Sequence, residues 1–348
     1  MPAEEDMSKR IHIFILVVLS IFIVSGCTKK QSVNTNSLNE VTVFTYDSFC
    51  GEWGPGAELT KLAKEKTGLT VKFVDCGDGV QLLSSLILDK EKKVCDVAIG
   101  LDNNLVQKAL DEGLFQKYKP HDASKVIPSN LIKALDSDWR LTPFDYSHFA
   151  FIYDTESKIK EPTCLEDLKD PIYEKRIILM DPRTSTPGLG FFNWTVAVYG
   201  DKTEDYWKAI KPNILTMAPG WSAGYGLFTS GEAPLVISYT TSPASHVEYE
   251  NSFRYKALEF TDGHPMQVEG AGISANTQNL ENAQKFMDFL ITEDAQFILT
   301  LTQWMYPANK NTKLPECYRK AAIVPQKTLF TNAEAAEKKL DSVMNLLK

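Results

Sequence analysis

The six cysteines include no C-x-x-C spacing, which excludes zinc and thioredoxin-like redox sites built on that pattern. No Gly-rich phosphate loop or dinucleotide fingerprint occurs, so any ATP that drives work alongside this chain is hydrolysed by another subunit. Basic residues are in deficit. Lys and Arg number 37 against 45 Asp and Glu, for a formal net charge of -8. That balance argues against a nucleic-acid or anionic-membrane surface and suits a cationic partner. No apolar run reaches the roughly 20 residues that a membrane-crossing helix needs. Internal repeats are absent, and residues 28–40 form the only low-complexity tract.

What is present begins with an address. Lys9 and Arg10 precede an apolar stretch from Ile11 to Val24, the pattern of a secretory signal. It ends in Val24-Ser25-Gly26-Cys27, which resembles the bacterial lipobox and makes Cys27 the expected lipidation site. Acyl chains at about 0.8 kcal/mol per buried methylene hold such a protein firmly on a membrane. The organisation expected is a lipoprotein signal peptide over 1–26 and a lipidated tether over 27–40. The first part of lobe I follows over 41–146, lobe II over 147–264, and a return to lobe I with the C-terminal helices over 265–348. The five cysteines beyond Cys27 are odd in number, so at least one is unpaired. Cys50 and Cys76, each just past an expected strand, are placed for a disulfide; small buried thiols are the plain alternative.

Strand and helix patterns alternate through the folded part. Val41–Thr45, Leu69–Val74 and Val94–Ile99 read as strands, each followed by a helix with one apolar face. Arg176–Met180, Ile214–Met217 and Leu235–Tyr239 repeat this in the second half. The grammar predicts an α/β fold with mostly parallel sheets. Two long extended segments, Phe144–Tyr153 and Met266–Ser274, carry the chain from one sheet to the other and back. Two sheet-and-helix lobes joined by crossover strands enclose a cleft, and in open α/β sheets ligands bind at the carboxyl ends of the strands.

The strand exits concentrate aromatic, carboxylate, hydroxyl and glycine residues: Tyr46-Asp47-Ser48-Phe49 with Trp53, Cys76-Gly77-Asp78-Gly79, and Gly100-Leu101-Asp102. In the second half they are Arg183 through Gly188, Pro219-Gly220-Trp221 and Tyr239-Thr240-Thr241-Ser242. Rings beside carboxylates suit a flat organic cation, worth on the order of 2 kcal/mol over a desolvated ring. Hydroxyls ahead of a helix suit an anionic tail such as phosphate. Asp78 and Asp102 are equally good helix caps, and Trp221, Tyr239 and Trp304 equally good core aromatics.

The segments VFTYDSFCGEWGPG (43–56), GDGVQLL (77–83), IGLDNNL (99–105) and PFDYSHFAFIYD (143–154) resemble the thiamine-binding proteins of bacterial ABC importers. So do MDPRTSTPGLG (180–190), GWSAGYGLF (220–228), SYTTSPASH (238–246) and WMYPAN (304–309), in collinear order. The resemblance implies the bilobed periplasmic-binding fold, capture of thiamine and its mono- and diphosphate, and closure over the ligand. It implies ABC permease subunits as partners, a monomer tied to a membrane only through its lipid, no nucleic acid, no metal and no cofactor. By similarity Tyr46, Trp53, Asp78, Gly79, Ser185, Trp221, Tyr239 and Trp304 line the site, with Asp102, Thr186, Ser242 and Ser245 as further candidates. The family often carries Tyr where this chain has Ser245, which removes one stacking surface. Rival readings are a binding protein for a polyamine or ferric iron, and a serine hydrolase using Ser222. The hydrolase reading rests on Gly220-Trp221-Ser222-Ala223-Gly224, with His246 and His264 as the downstream histidines.

Overall fold

The computed structural model describes residues 39–348, so the signal, Cys27 and nearly all of the tether lie outside the described residues. Short apolar strands rise from the sequence where expected: β1 (Glu40–Thr45), β2 (Thr70–Asp75) and β3 (Val97–Asp102). Then come β4 (Thr142–Asp154), β5 (Ile177–Met180), β6 (Ile214–Ala218), β7 (Leu235–Tyr239), β8 (Tyr255–Ala257) and β9 (His264–Ile273). Two short ones, β10 (Tyr306–Pro307) and β11 (Thr328–Leu329), follow. β3 starts three residues later than its pattern predicts, which puts Asp102 at the end of the strand itself.

Helices end where the chain supplies a stop. Helix Gly56–Thr67 closes at Gly68, whose φ of 75° needs no Cβ. Helix Gly79–Asp89 opens on a capping box, in which Asp78 and Gln81 each bond the other's backbone end.

The strands run in the order β2-β1-β3-β9-β4-β7-β5-β6. Within each lobe the βαβ strands are parallel: β1 with β2 and β3, and β5 with β6 and β7. The expectation of mostly parallel sheets holds only there. β9 is antiparallel to β3, and β4 is antiparallel to both β9 and β7, because these two strands are the crossings. Along β4, Thr142–His148 pairs with β9 and Phe149–Tyr153 pairs with β7. One strand therefore belongs to both lobes, and the handover falls between His148 and Phe149.

Each lobe has its own core. Lobe I buries Val43, Phe49, Leu59, Ile99 and Phe286 on one side of its sheet and Leu82, Leu86, Leu101 and Leu131 on the other. Lobe II is packed around Phe151, Phe191, Trp194, Trp207, Phe228 and Ile237. The C-terminal helix Ala333–Leu347 corrects one expectation: Ala336, Val343 and Met344 sit in the lobe II core, against helices Thr186–Tyr199 and Thr203–Ile210. Its apolar stripe packs on that pair of helices, so residues 265–348 return to lobe I but finish on lobe II.

Candidate functional site

A cavity of about 330 Å³ lies where the strand exits of the two lobes meet. That volume is in the range of small organic ligands. Six aromatic rings line it: Tyr46, Trp53, Trp221, Tyr225, Tyr239 and Trp304. Four carboxylates line it too, Asp47, Glu52, Asp78 and Glu269, and among the described residues no Lys, Arg or His does. Of the residues expected from sequence, Tyr46, Trp53, Asp78, Trp221, Tyr239, Trp304, Thr186, Ser242 and Ser245 are on this lining. Gly79, Ser185 and Asp102 are buried and are not on it.

The rings are held from below. Trp221 donates its indole N–H to Ser238 Oγ at 2.8 Å and stacks on Tyr225, 4.9 Å between centroids. Tyr239 packs on Phe149, 5.4 Å away, and its amide donates to Ser242 Oγ at 3.2 Å. Tyr46 lies over Gly100, where φ is 111° and a Cβ would come within 2.2 Å of the ring. Only glycine leaves that seat free. Trp304 adopts φ 58°, a region costly for a non-glycine residue, and this backbone turn aims its ring toward Tyr249.

Sequence reasoning missed Tyr249. It stands one helical turn beyond Ser245 on helix Pro243–Glu250, so the two share a face. Its ring lies 6.4 Å from Trp53 and 5.5 Å from Trp304, edge-on to the latter. Trp53 is 77% exposed and Tyr249 62%. A second-lobe tyrosine thus sits between two first-lobe rings at the mouth of the cleft, near the place where Ser245 offers no ring.

Asp78 is where the lobes touch. Its Oδ1 accepts the amide N–H of Gly79 at 2.6 Å and of Thr186 at 3.0 Å, and its Oδ2 accepts that of Trp221 at 2.9 Å. These amides open three helices, Gly79–Asp89 in lobe I and Thr186–Tyr199 and Trp221–Thr229 in lobe II. Three positive helix ends converge on one carboxylate. Gly79 permits the approach, since a Cβ there would meet Thr186 Oγ1 at 2.0 Å. Ser185, immediately before one of these helices, is fully buried, and among the described residues its hydroxyl has no partner. A second bridge runs from Asn193 Nδ2 to Asn104 Oδ1 at 2.8 Å. Asn104 is itself held by Asp102, whose carboxyl burial pushes up to about 6.

The floor carries acid that was not anticipated. Glu269 takes the Tyr46 hydroxyl on Oε2 at 2.9 Å and the Gln267 amide on Oε1 at 2.7 Å. Gln303 donates in turn to the Tyr46 hydroxyl at 3.0 Å. Asp145 lies opposite Glu269 in the β4–β9 register and is fully buried. Burial raises Asp145 to about 8; burial, then Asp145, raises Glu269 well above the ordinary carboxylate range. A carboxylate inside an apolar strand, as in PFDYSHF, was the available clue.

The G-x-S-x-G stretch is a helix start, with Ser222 on the cavity wall facing Asp47. His246 places one ring nitrogen 3.0 Å from the Tyr225 hydroxyl and the other 3.0 Å from Glu250. His264 is engaged by the Phe149 carbonyl and the Phe260 amide. Both histidines are committed away from Ser222. Cys50 and Cys76 are free thiols, so the disulfide between them is not formed.

The family model described as "Bacterial extracellular solute-binding protein" matches residues 92–326. The chain belongs to the bacterial extracellular solute-binding proteins. It is 38% identical over 316 residues to the thiamine-binding periplasmic protein of Brucella melitensis, covering 90% of this chain and 92% of that one. It is 39% identical over 296 residues to the protein of the same name from Escherichia coli K12, covering 85% and 89%. A solved periplasmic thiamin binding protein superposes with a TM-score of 0.82 at 38% identity, over 89% of this solute-binding protein and 96% of the other chain. The bilobed reading of the two sheets and the cleft between them agrees with that superposition.

Proposed function

We propose that this solute-binding protein captures thiamine, and its mono- and diphosphate, outside the cytoplasm and hands it to an ABC import permease. The observation that carries the proposal is the lining of the cleft: six rings and four acidic side chains with no basic side chain among the described residues. A flat heteroaromatic cation gains from both, by cation–π contact and by Coulomb attraction in a partly dry site. A polyamine carries charge without a ring face to match these aromatics, and ferric iron calls for clustered ligands rather than stacked rings. The names of the relatives agree with thiamine. Ser185, a buried hydroxyl without a partner among the described residues just ahead of helix Thr186–Tyr199, supports the phosphate forms.

On this reading the protein acts by binding alone, as a monomer without a cofactor; both downstream histidines are committed away from Ser222, which leaves the hydrolase reading without a base. Cys27 carries lipid and ties the protein to a membrane outside the cytoplasm, on a periplasmic face or at the cell surface; loss of acyl labelling in Cys27→Ala tests that. Thiamine should quench the fluorescence of the mature protein saturably, since Trp53, Trp221 and Trp304 line the cavity. An emission spectrum unmoved by thiamine and by both phosphates contradicts the proposal.

A further inference from the structure

The aromatic lining does not account for the acid pair beneath it. Asp145 and Glu269 face each other on antiparallel strands, on β4 and β9. Asp145 is fully buried, and among the described residues no donor reaches either of its oxygens. Glu269 is 5% exposed, and that small opening is into the cavity. The ionisable groups facing the pair are Tyr46 from the exit of β1, Asp102 from β3, Tyr239 from β7 and Tyr318 from helix Glu316–Ala321. None of them is basic. Asp78, the other carboxylate deep in the cleft, already spends both oxygens on three amides.

Two carboxyls this close, in a dry place and without a basic neighbour, cannot both stay ionised. Their protons belong to the pair rather than to either residue. The first proton removes the repulsion; the second stays because a lone carboxylate there is still desolvated and faces no cation, so burial raises both.

Resting on the thiamine reading, we propose that Asp145 and Glu269 form the charge-reading element of the cleft, neutral when empty, and that a bound cation displaces one proton from the pair. The O–H bond of Glu269 breaks, its electron pair stays on the carboxylate, and the proton passes to water. Asp145 keeps its proton and donates it to the new carboxylate. The cation's charge takes the place of the lost proton's, so the buried net charge is unchanged. A neutral ring of the same shape offers no such replacement, and this makes Glu269 a specificity residue for cations.

One proton released per cation makes affinity rise about tenfold per pH unit while the exchange is complete. The test is calorimetric titration of the mature protein with thiamine at pH 6.5 in phosphate and in Tris, whose ionisation heats differ. The difference in heat should report about one proton released, and affinity should climb from pH 6 to 7 and level above 8. Glu269→Gln should bind thiamine at least tenfold more weakly, with no proton released. Buffer-independent heat and a flat pH profile in the wild type overturn the proposal while leaving thiamine capture intact. A wild type that binds no thiamine at any of these pH values removes the thiamine reading itself, and the inference with it.

Discussion

Asp78→Asn tests the contact between the lobes with the smallest possible change of shape. The carboxylate receives three amides, two of them from lobe II. The carboxamide keeps one acceptor oxygen, which can still serve Gly79 and Thr186. Its NH2 group is then turned toward the amide of Trp221, donor against donor. A hydrogen bond to a charged group is worth roughly 1.5–3 kcal/mol. Losing the Trp221 bond and weakening the Thr186 bond costs the closed form about 2–3 kcal/mol. The open-to-closed ratio shifts by about thirty- to a hundred-and-fortyfold, at 1.4 kcal/mol per tenfold. Ligand affinity falls in proportion to the closed fraction that is lost. Small-angle scattering should show a larger radius of gyration for ligand-free Asp78→Asn than for the wild type, with thiamine shrinking both. Bending should localise to the handover at His148–Phe149 and to the start of β9. A variant with wild-type scattering and wild-type affinity refutes the clasp and reduces Asp78 to the cap of its own helix.

Tyr249→Ala removes the ring between Trp53 and Trp304; at about 0.5–1.5 kcal/mol for each of the two aromatic pairs it should speed thiamine dissociation about fivefold or more in stopped flow, with Tyr249→Phe, which loses only the hydroxyl's 3.1 Å bond to the Leu301 carbonyl, in between. An unchanged off-rate means the rim rings do not gate the ligand. Ser185→Ala, which removes a buried partnerless hydroxyl ahead of a helix, should weaken the thiamine phosphates more than thiamine; equal losses place phosphate elsewhere. Asp145 and Asp102, raised to about 8 and about 6, keep protons in the folded state that the unfolded chain has already lost. Their effect is a stability that declines as pH rises from the carboxylate range to about 8. His148, lowered by burial to about 4 from 6.5, opposes this only between those two values. The Tm of the ligand-free protein should therefore fall from pH 6.5 to 8, and a flat or rising Tm contradicts the buried acids.

Most of the frame was legible because it is local. Apolar runs marked β1, β5 and β7, and the two long extended segments at 144–153 and 266–274 marked the crossings nearly to the residue. Strand exits are also local, so Tyr46, Trp53, Asp78, Trp221 and Tyr239 could be named from the positions they follow. What could not be read depends on partners far away in the chain. The role of Asp78 rests on amides 108 and 143 residues distant. The tie from Tyr46 to Glu269 spans 223 residues, and the Asp145–Glu269 pair exists only through the register of two strands. Tyr249 looks like an ordinary surface residue of a short helix until Trp53 and Trp304 are brought beside it. The C-terminal helix shows its stripe plainly but not which lobe receives it.

The central claim is that this cleft selects a flat aromatic cation of the thiamine type. Calorimetric titration of the mature protein with thiamine, its two phosphates and spermidine at one pH tests it most directly. The account predicts one tight site for thiamine and its phosphates and no measurable heat from spermidine. Spermidine binding as tightly as thiamine, or heat from neither, contradicts it.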